Sequence, residues 1–411
     1  MVKISQDFAP PFKLIAPFFI LGSLFYFFSS FYLFFFDVTS LSFADPKVLA
    51  FVHLFLLGFV MMIIFGAMAQ LVPVVLEVGH FGVELFYAIW PLLLIGSLMM
   101  VFGFLYSPAL LPYGGVVVLI SMMIFVGEIF LTMFKVEKLT LVMSSVLISN
   151  TFLFFGIIFG LLMALSYAGT LSLDISALLK AHVYSVIAGY IVITIMGLSI
   201  VLVPMFTLSH SFSLRPLEIG MSMMSVAVVF VVISSFFDID WLAYLAYAMA
   251  FAGMISYFYL IYIIYVTRPR KENDVYALSL IFSYSSMLVS LLIGALYFFL
   301  GKENYLIASA WLFFFGFFAF LITGHIYKII PFLVWFEKFS PLVGKQKVPM
   351  LADMVPYKSS QAQLIYSGVG VLLVTVAILV GSNALMGAGA SFLVIGSLAF
   401  VRSVFYMINF K

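Results

Sequence analysis

The sequence predicts an all-α polytopic membrane protein whose twelve transmembrane helices form three four-helix repeats with pseudo-threefold symmetry. Three observations support this prediction: the composition, the number of long apolar runs, and one motif that occurs three times. Of the 411 residues, 66% are hydrophobic and 8% are charged, and the mean hydropathy is +1.29. A soluble domain cannot bury so much apolar surface, so the chain belongs in a lipid bilayer.

Twelve apolar runs match the length of about 20 residues that a helix needs to cross a bilayer. The predicted spans are 13–36, 47–73, 84–106, 109–134, 139–168, 176–206, 216–237, 240–267, 275–300, 304–334, 363–381 and 384–409. Helix is required because lipid offers the backbone no hydrogen-bond partners, and the alternating pattern of a barrel strand is absent. The longest polar stretch, 337–362, is predicted to be an ordered cytoplasmic connector.

The spacing Gly-aromatic-x6-Gly-x6-Pro occurs at Gly58, Gly189 and Gly316, so the copies start 131 and 127 residues apart. Such a period indicates internal repeats, here approximately 1–135, 136–270 and 271–411 of a single transmembrane domain, 1–411. The motif falls on predicted helices 2, 6 and 10, which run in the same direction. Its small residues permit close helix packing, so these three helices are predicted to lie innermost, around an axis normal to the membrane.

Lysine and arginine set the predicted orientation. With the N-terminus inside, only Lys47, Lys180 and Lys302 of the 18 basic residues lie outside. Basic residues favour the cytoplasmic side, so both termini are predicted to be cytoplasmic, in the inner membrane of a bacterium or archaeon. The net charge of +2 reflects this asymmetry and gives no reason to expect a nucleic-acid partner. The chain has no cysteine, which excludes disulfides and thiolate metal sites.

Histidines in the repeated helices are the best indication of function, because ionisable residues inside a membrane are costly and usually functional. His53 lies five residues before the first glycine of its motif, and His182 lies seven residues before. The third copy has Trp311 and Ser309 at those offsets, and its histidine, His325, lies much deeper. His53 and His182 are therefore the candidate metal ligands.

Other ionisable residues suggest supporting roles. Each outer lysine precedes one repeated helix, and we expect Lys47, Lys180 and Lys302 either to snorkel at the interface or to bind carboxylates such as haem propionates. His80 and His210, six or seven residues past a motif proline, are predicted to be ordinary interfacial residues.

Glu128 is the one carboxylate well inside an apolar run. A lone glutamate in that setting is protonated, paired or part of a relay. Together with His325 and Lys328, it is a candidate for a proton or polar pathway.

The string His53-x4-Gly58-Phe59-x6-Gly66-x6-Pro73 resembles the second helix of NnrS-type membrane proteins. The opening Pro10-Pro11-Phe12…Pro17-Phe18-Phe19 also resembles the start of that family. Twelve helices in three four-helix units, with outer histidines in helices 2 and 6, resemble subunit I of the haem-copper oxidase superfamily. The resemblance implies haem (heme b) and copper as cofactors, and a role in nitric oxide metabolism or tolerance.

The chain departs from these families at several ligand positions. Phe51 replaces one histidine of the NnrS His-x-His pair, helix 10 has no outer histidine, and helix 7 has no histidine at all. Copper in a binuclear centre is held by three imidazoles, so we expect neither that centre nor terminal oxidase activity. A single copper ion at His182, helped by a water or a neighbouring side chain, stays an alternative.

The leading hypothesis is a haem-binding membrane oxidoreductase that transfers electrons, with an electron-transfer partner, or handles nitric oxide or another diatomic gas. Its axial ligand would be His53, followed in preference by His182. The alternative is a cofactor-free transporter or channel for a small solute or ion, with Glu128, His325 and Lys328 along its pathway. A third hypothesis is an assembly or chaperone-like membrane protein.

Overall fold

A computed structural model describes residues 8–210 and 212–411, and every regular element in those ranges is helical. Twelve helices are long and apolar enough to cross a membrane, which confirms the predicted number. They are α1 Phe12–Phe35, α2 Pro46–Leu76, α3 Val83–Leu105, α4 Pro108–Met133, α5 Leu141–Tyr167, α6 Ile175–Thr207, α7 Arg215–Phe237, α8 Asp240–Thr267, α9 Val275–Leu300, α10 Glu303–Lys338, α11 Tyr357–Val380 and α12 Asn383–Ile408. The protein is therefore an all-helical membrane protein.

All helix boundaries but one lie within four residues of the prediction; the exception is the start of α11. This helix begins at Tyr357, after Pro356 in extended conformation, rather than at residue 363. Its first two turns, YKSSQAQ, are polar, so hydropathy does not reveal them. The side chains of Ser360 and Gln363 are nevertheless buried, and the connector after α10 is shorter than predicted.

Two compact units make up the fold. Of the described residues, the first unit comprises 69–210 and 212–271 together with Phe8 and Ala9, and it contains α3 to α8 and the end of α2. The second unit comprises residues 10–68 and 272–411, and it contains α1, most of α2, and α9 to α12. The boundary at 271/272 nearly coincides with a predicted repeat boundary, whereas the boundary at 68/69 divides the first repeat.

The three motif helices are the most buried of the twelve. In the most apolar stretch of α2, α6 and α10, 78%, 83% and 67% of residues are buried, against 33–56% in the other nine helices. Lipid provides no hydrophobic driving force for burying apolar side chains. Burial on this scale therefore reflects close van der Waals packing of these helices against their neighbours.

The motif glycines make the same packing arrangement in three helix pairs. A β-carbon on the first glycine would overlap a side chain of the preceding helix, and the second glycine meets a side chain seven residues earlier on that helix. The partners of the two glycines are Phe25 and Phe18 on α1 for α2, Phe152 and Ser145 on α5 for α6, and Ser286 and Ser279 on α9 for α10. Absence of a β-carbon is therefore what lets each helix pair approach closely.

Each motif helix also contains a π-helical segment around its first glycine. These segments are Leu56–Met61 in α2, Tyr184–Val192 in α6 and Leu312–Phe318 in α10. π-Segments are rare and occur frequently at functional sites. Their recurrence at the same place in the motif adds a backbone feature to the repeat that glycine and proline spacing did not predict.

At the end of α1, the loop before α2 is bonded to the start of α12. The Asp37 carboxylate accepts hydrogen bonds from Asn383 Nδ2 at 2.8 Å and from the backbone and hydroxyl of Thr39. In return, the backbone N–H of Val38 donates to Asn383 Oδ1 at 2.8 Å. The Asn383 amide, followed by the Thr39 donors, lowers the pKa of Asp37 below its ordinary value.

We expect the substitution Asn383→Ala to weaken the dependence of stability on acid pH. A depressed carboxyl pKa contributes stability above the unfolded-state value, about 3.9 for aspartate, and this contribution is lost as pH falls through the folded value. The variant loses the largest cause of the shift, so its melting temperature should fall less on acidification than that of the wild type. Asn409→Ala, which removes only a bond to the Phe405 carbonyl of its own helix, is the control. Identical pH profiles for Asn383→Ala and the wild type would contradict the assignment.

Candidate functional site

His53 and His182 both lie in the last α-helical turn before a π-segment. The π-segment of α2 begins three residues after His53, and that of α6 begins two residues after His182. In α10 the π-segment begins directly after Trp311. The residues singled out by the motif thus occupy corresponding places at a backbone irregularity.

The ring orientation of the membrane histidines is fixed by backbone carbonyls. Nδ1 lies 2.8 Å from the Leu49 carbonyl oxygen in His53, 2.7 Å from that of Gly156 in His182, and 2.7 Å from that of Leu321 in His325. A carbonyl oxygen only accepts, so Nδ1 carries the hydrogen in each neutral ring and Nε2 carries the lone pair. Metal-binding histidines are oriented in this way, with the non-ligating N–H donated to a carbonyl or carboxylate.

His182 lies against a glycine surface of α5. Besides the bond to Gly156, its Cε1 atom would come within 2.8 Å of a β-carbon added at Gly160. The two glycines, four residues apart, form one face of the helix. The missing side chain makes room for the imidazole ring at Gly160 and for Ser185 and Val186 at Gly156.

At the third position, Trp311 belongs to a cluster of aromatic rings. Its indole stacks on Phe315 with 4.2 Å between ring centroids, and its Nε1 donates to the Val371 carbonyl at 3.1 Å. Phe51 of α2 stacks on the same Phe315 ring at 5.6 Å. At this level the space between α2 and α10 is filled by aromatic rings without a metal-binding atom. Of these two helices, only α2 therefore offers an imidazole here, that of His53.

The three outer lysines are exposed. Asp45, two residues before Lys47, accepts the backbone N–H of Lys47, and Lys302 is the residue directly before α10. Lys180 lies two residues before His182 in the first turns of α6. Exposure fits both interfacial snorkelling and binding of a carboxylate, so the role of these lysines stays a prediction.

Glu128 has a histidine partner that the sequence analysis did not predict. Nδ1 of His80 lies 2.8 Å from Glu128 Oε1, and the two side chains are 3% and 0% exposed. The prediction of an ordinary interfacial residue was therefore wrong for His80, whereas His210 is exposed. The sequence did indicate that Glu128 needs a partner, because a lone buried carboxylate is costly. It did not indicate which residue, because His80 lies 48 residues away along the chain.

A second polar group connects α9 and α10. Nζ of Lys328 lies 2.6 Å from Asp274 Oδ2 and 5.6 Å from the centre of the Tyr276 ring. The same tyrosine ring packs edge-on against His325 at 5.2 Å. The predicted pathway residues His325 and Lys328 are thus linked through Tyr276, and Glu128 belongs to the separate pair with His80.

Among residues 8–210 and 212–411, no three His, Asp or Glu side chains come together as a metal-binding group. A metal held by these residues would have fewer protein ligands, as the iron of a haem does. The chain matches no protein-family model and no curated protein in sequence.

Proposed function

We propose that the protein binds haem through His53 and acts in electron transfer or in the handling of nitric oxide or another diatomic gas. The observation that carries the proposal is the ring orientation of His53 beside the π-segment of a buried helix. The Leu49 carbonyl holds Nδ1–H, which leaves Nε2 as the basic nitrogen. Haem iron, when bound, supplies one-electron and gas-binding chemistry whose potential depends on the axial ligand and its hydrogen bonds.

The chain's own residues would define the surroundings of this cofactor. Trp311 stands where α10 would otherwise supply a second histidine, so that helix would offer no imidazole to hold the haem. Lys47, Lys180 and Lys302 at the helix starts are the cations available to propionate groups. His182, oriented by Gly156, is the second candidate ligand for haem or for a single copper ion.

The scaffold proposed with this function has three four-helix repeats about a pseudo-threefold axis, with both termini cytoplasmic. The recurrence of the glycine contacts and the π-segments in three helix pairs supports the repeat. The distribution of lysine and arginine supports the orientation. An NnrS-like relation within the haem-copper oxidase superfamily, and an electron-transfer partner, belong to the same proposal.

Purified protein is expected to show a Soret band and, when reduced, α and β bands. The substitution His53→Ala should abolish these bands or reduce haem content by at least tenfold, because it removes the axial nitrogen. His210→Ala, which changes an exposed histidine, is the matched control and should keep the wild-type spectrum. A colourless wild-type protein after expression with ample haem, or full haem with an unchanged spectrum in His53→Ala, would refute the proposal.

A second candidate function is cofactor-free transport of a small solute or ion. The linked side chains Asp274, Lys328, Tyr276 and His325 favour it, because polar chains within membrane helices mark ion and proton pathways. Proteoliposomes prepared from haem-free protein would distinguish the candidates: solute or ion flux that is lost in Lys328→Met supports transport, and absence of flux with bound haem supports the first proposal.

A further inference from the structure

We propose that Glu128 is a proton-binding carboxyl group that takes up and releases a proton at Oε2, with His80 held beside it as an imidazolium. The inference does not depend on the haem proposal, because it rests on α4, the end of α2 and the segment between α2 and α3.

All hydrogen-bond donors around this carboxyl group converge on one oxygen. Oε1 lies 2.8 Å from His80 Nδ1, 2.7 Å from the Thr132 hydroxyl oxygen and 3.1 Å from the backbone nitrogen of Phe81, whose N–H is shared with the Thr132 hydroxyl oxygen at 2.8 Å. Oε2 is equally buried and has no hydrogen-bond partner among the described residues. A buried carboxylate oxygen without a partner is costly, so Oε2 is the atom that gains most from binding a proton.

The protonation of His80 follows from its two contacts. Nε2 lies 2.6 Å from the carbonyl oxygen of Ala69, which can only accept, so Nε2 carries a hydrogen. Between Nδ1 and Oε1 there must then be one proton, since two lone pairs at 2.8 Å would repel. Oε1 already receives the Phe81 N–H and has the Thr132 hydroxyl beside it, and such donors stabilise the charged carboxylate. The proton therefore belongs on Nδ1, which makes His80 an imidazolium.

A further proton can only add to Oε2. One O–H bond forms there as an O–H bond of hydronium breaks and releases water, and the net charge of the pair changes from zero to +1. Oε1 keeps its three donors, now as the carbonyl oxygen of a carboxylic acid. Apolar surroundings disfavour the extra charge, so the proton is held reversibly and can be passed on.

Few other charges act on this pair. Lys135 is the nearest cation, and its Nζ donates to the carbonyls of Gly79 and His80 at 3.1 and 2.9 Å. Glu77 on the connecting segment and Glu84 in the first turn of α3 are exposed. The packed helices otherwise add only tyrosines, Tyr87 on α3 and Tyr167 at the far end of α5, and residues 69–76 of α2 add no ionisable group.

Glu128 lies near one end of α4, so a proton would reach it from that side of the membrane. Glu128 precedes the helix end at Met133 by five residues, about 7.5 Å along the axis. In the proposed orientation this end is cytoplasmic. The exposed Lys135 binds the carbonyls of Gly79 and His80 and so holds the connecting segment beside the pair. Displacement of the Lys135 side chain would open a path for protons from the cytoplasm.

Infrared difference spectroscopy of the purified full-length protein, titrated with acid, tests the proposal. Wild-type protein should gain the C=O stretch of a buried carboxylic acid on acidification, lose it on return to alkaline pH, and shift the band in D₂O. Glu128→Gln should lack the band, and Glu84→Gln, which changes an exposed carboxyl group, should retain it. Loss of the band in Glu84→Gln, or its persistence in Glu128→Gln, would overturn the assignment.

Thr132→Val provides a test that does not remove the carboxyl group. The substitution deletes the hydroxyl contact to Oε1 at 2.7 Å and leaves the Phe81 N–H, which the hydroxyl oxygen no longer shares, as a donor at 3.1 Å. The C=O band should move to higher frequency because its oxygen loses the shorter of these two contacts. Leu131→Val, on an exposed position of the same helix, should leave the band in place. An unshifted band in Thr132→Val would contradict the role of Oε1 as the carbonyl oxygen.

Discussion

The substitution His80→Ala is expected to lower the free energy of unfolding by about 3–5 kcal/mol, the range seen when one partner of a buried ion pair is removed. The Glu128 side chain would then lose the Nδ1 contact at 2.8 Å and stay fully buried. The Phe81 N–H and the Thr132 hydroxyl would still face Oε1, but no countercharge would remain. Equilibrium unfolding in detergent, followed by circular dichroism, measures the loss.

The double variant His80→Ala/Glu128→Leu distinguishes an unpaired charge from loss of packing. Removing both charges eliminates the desolvated carboxylate, so the double variant should be more stable than His80→Ala alone. His210→Ala alters an exposed histidine and should stay within about 0.5 kcal/mol of the wild type. If Glu128→Leu lowered the stability of the His80→Ala variant by as much as it lowers that of the wild type, the two side chains would not be coupled.

The substitution Gly197→Ala should destabilise the protein by about 1–3 kcal/mol, the usual cost of inserting a methyl group into a packed interior. The new β-carbon would overlap the Ser145 side chain of α5, which is fully buried and donates to the Val142 carbonyl. The helices must separate or Ser145 must leave its position. Thermal unfolding monitored in detergent would detect this as a lower melting temperature.

Two companion variants make the result specific to the α5/α6 contact. Gly197→Ala/Ser145→Gly removes the Ser145 side chain that the new methyl group would overlap. This double variant should recover most of the lost stability. Gly127→Ala, where a β-carbon meets no atom within 4 Å, should be neutral or stabilising by up to about 1 kcal/mol, because alanine favours helix. Equal losses in Gly197→Ala and Gly127→Ala would exclude helix contact as the cause.

Local sequence features predicted the helices well because each span is encoded by its own apolar run. The start of α11 escaped prediction, since its first turns are polar and are buried by tertiary packing around Ser360 and Gln363. The motif correctly singled out the most buried helices. It could not predict the π-segments, because the glycine spacing is equally compatible with an ordinary α-helix.

Candidate residues could be chosen from the sequence, but their contacts could not be predicted from it. Rarity of ionisable groups in apolar runs identified His53, His182 and Glu128. The pairing of Glu128 with His80 depends on how the segment after α2 folds back over α4, and no local pattern encodes that path. The ring orientation of each histidine depends on which carbonyl lies beside it, a property of the backbone rather than of residue type.

The π-segments have a consequence for how this protein can diverge. A π-turn accommodates one residue more than the α-helical turn it replaces. Deleting a residue within Leu56–Met61 would restore a regular α-helical turn, while His53 on one side and Gly66 and Pro73 on the other kept their register. Single-residue deletions, usually ruinous in a transmembrane helix, would here be absorbed locally and spare the contacts of both flanking segments. The three π-segments are thus the places where each motif helix could lose one residue without reorienting its outer side chains.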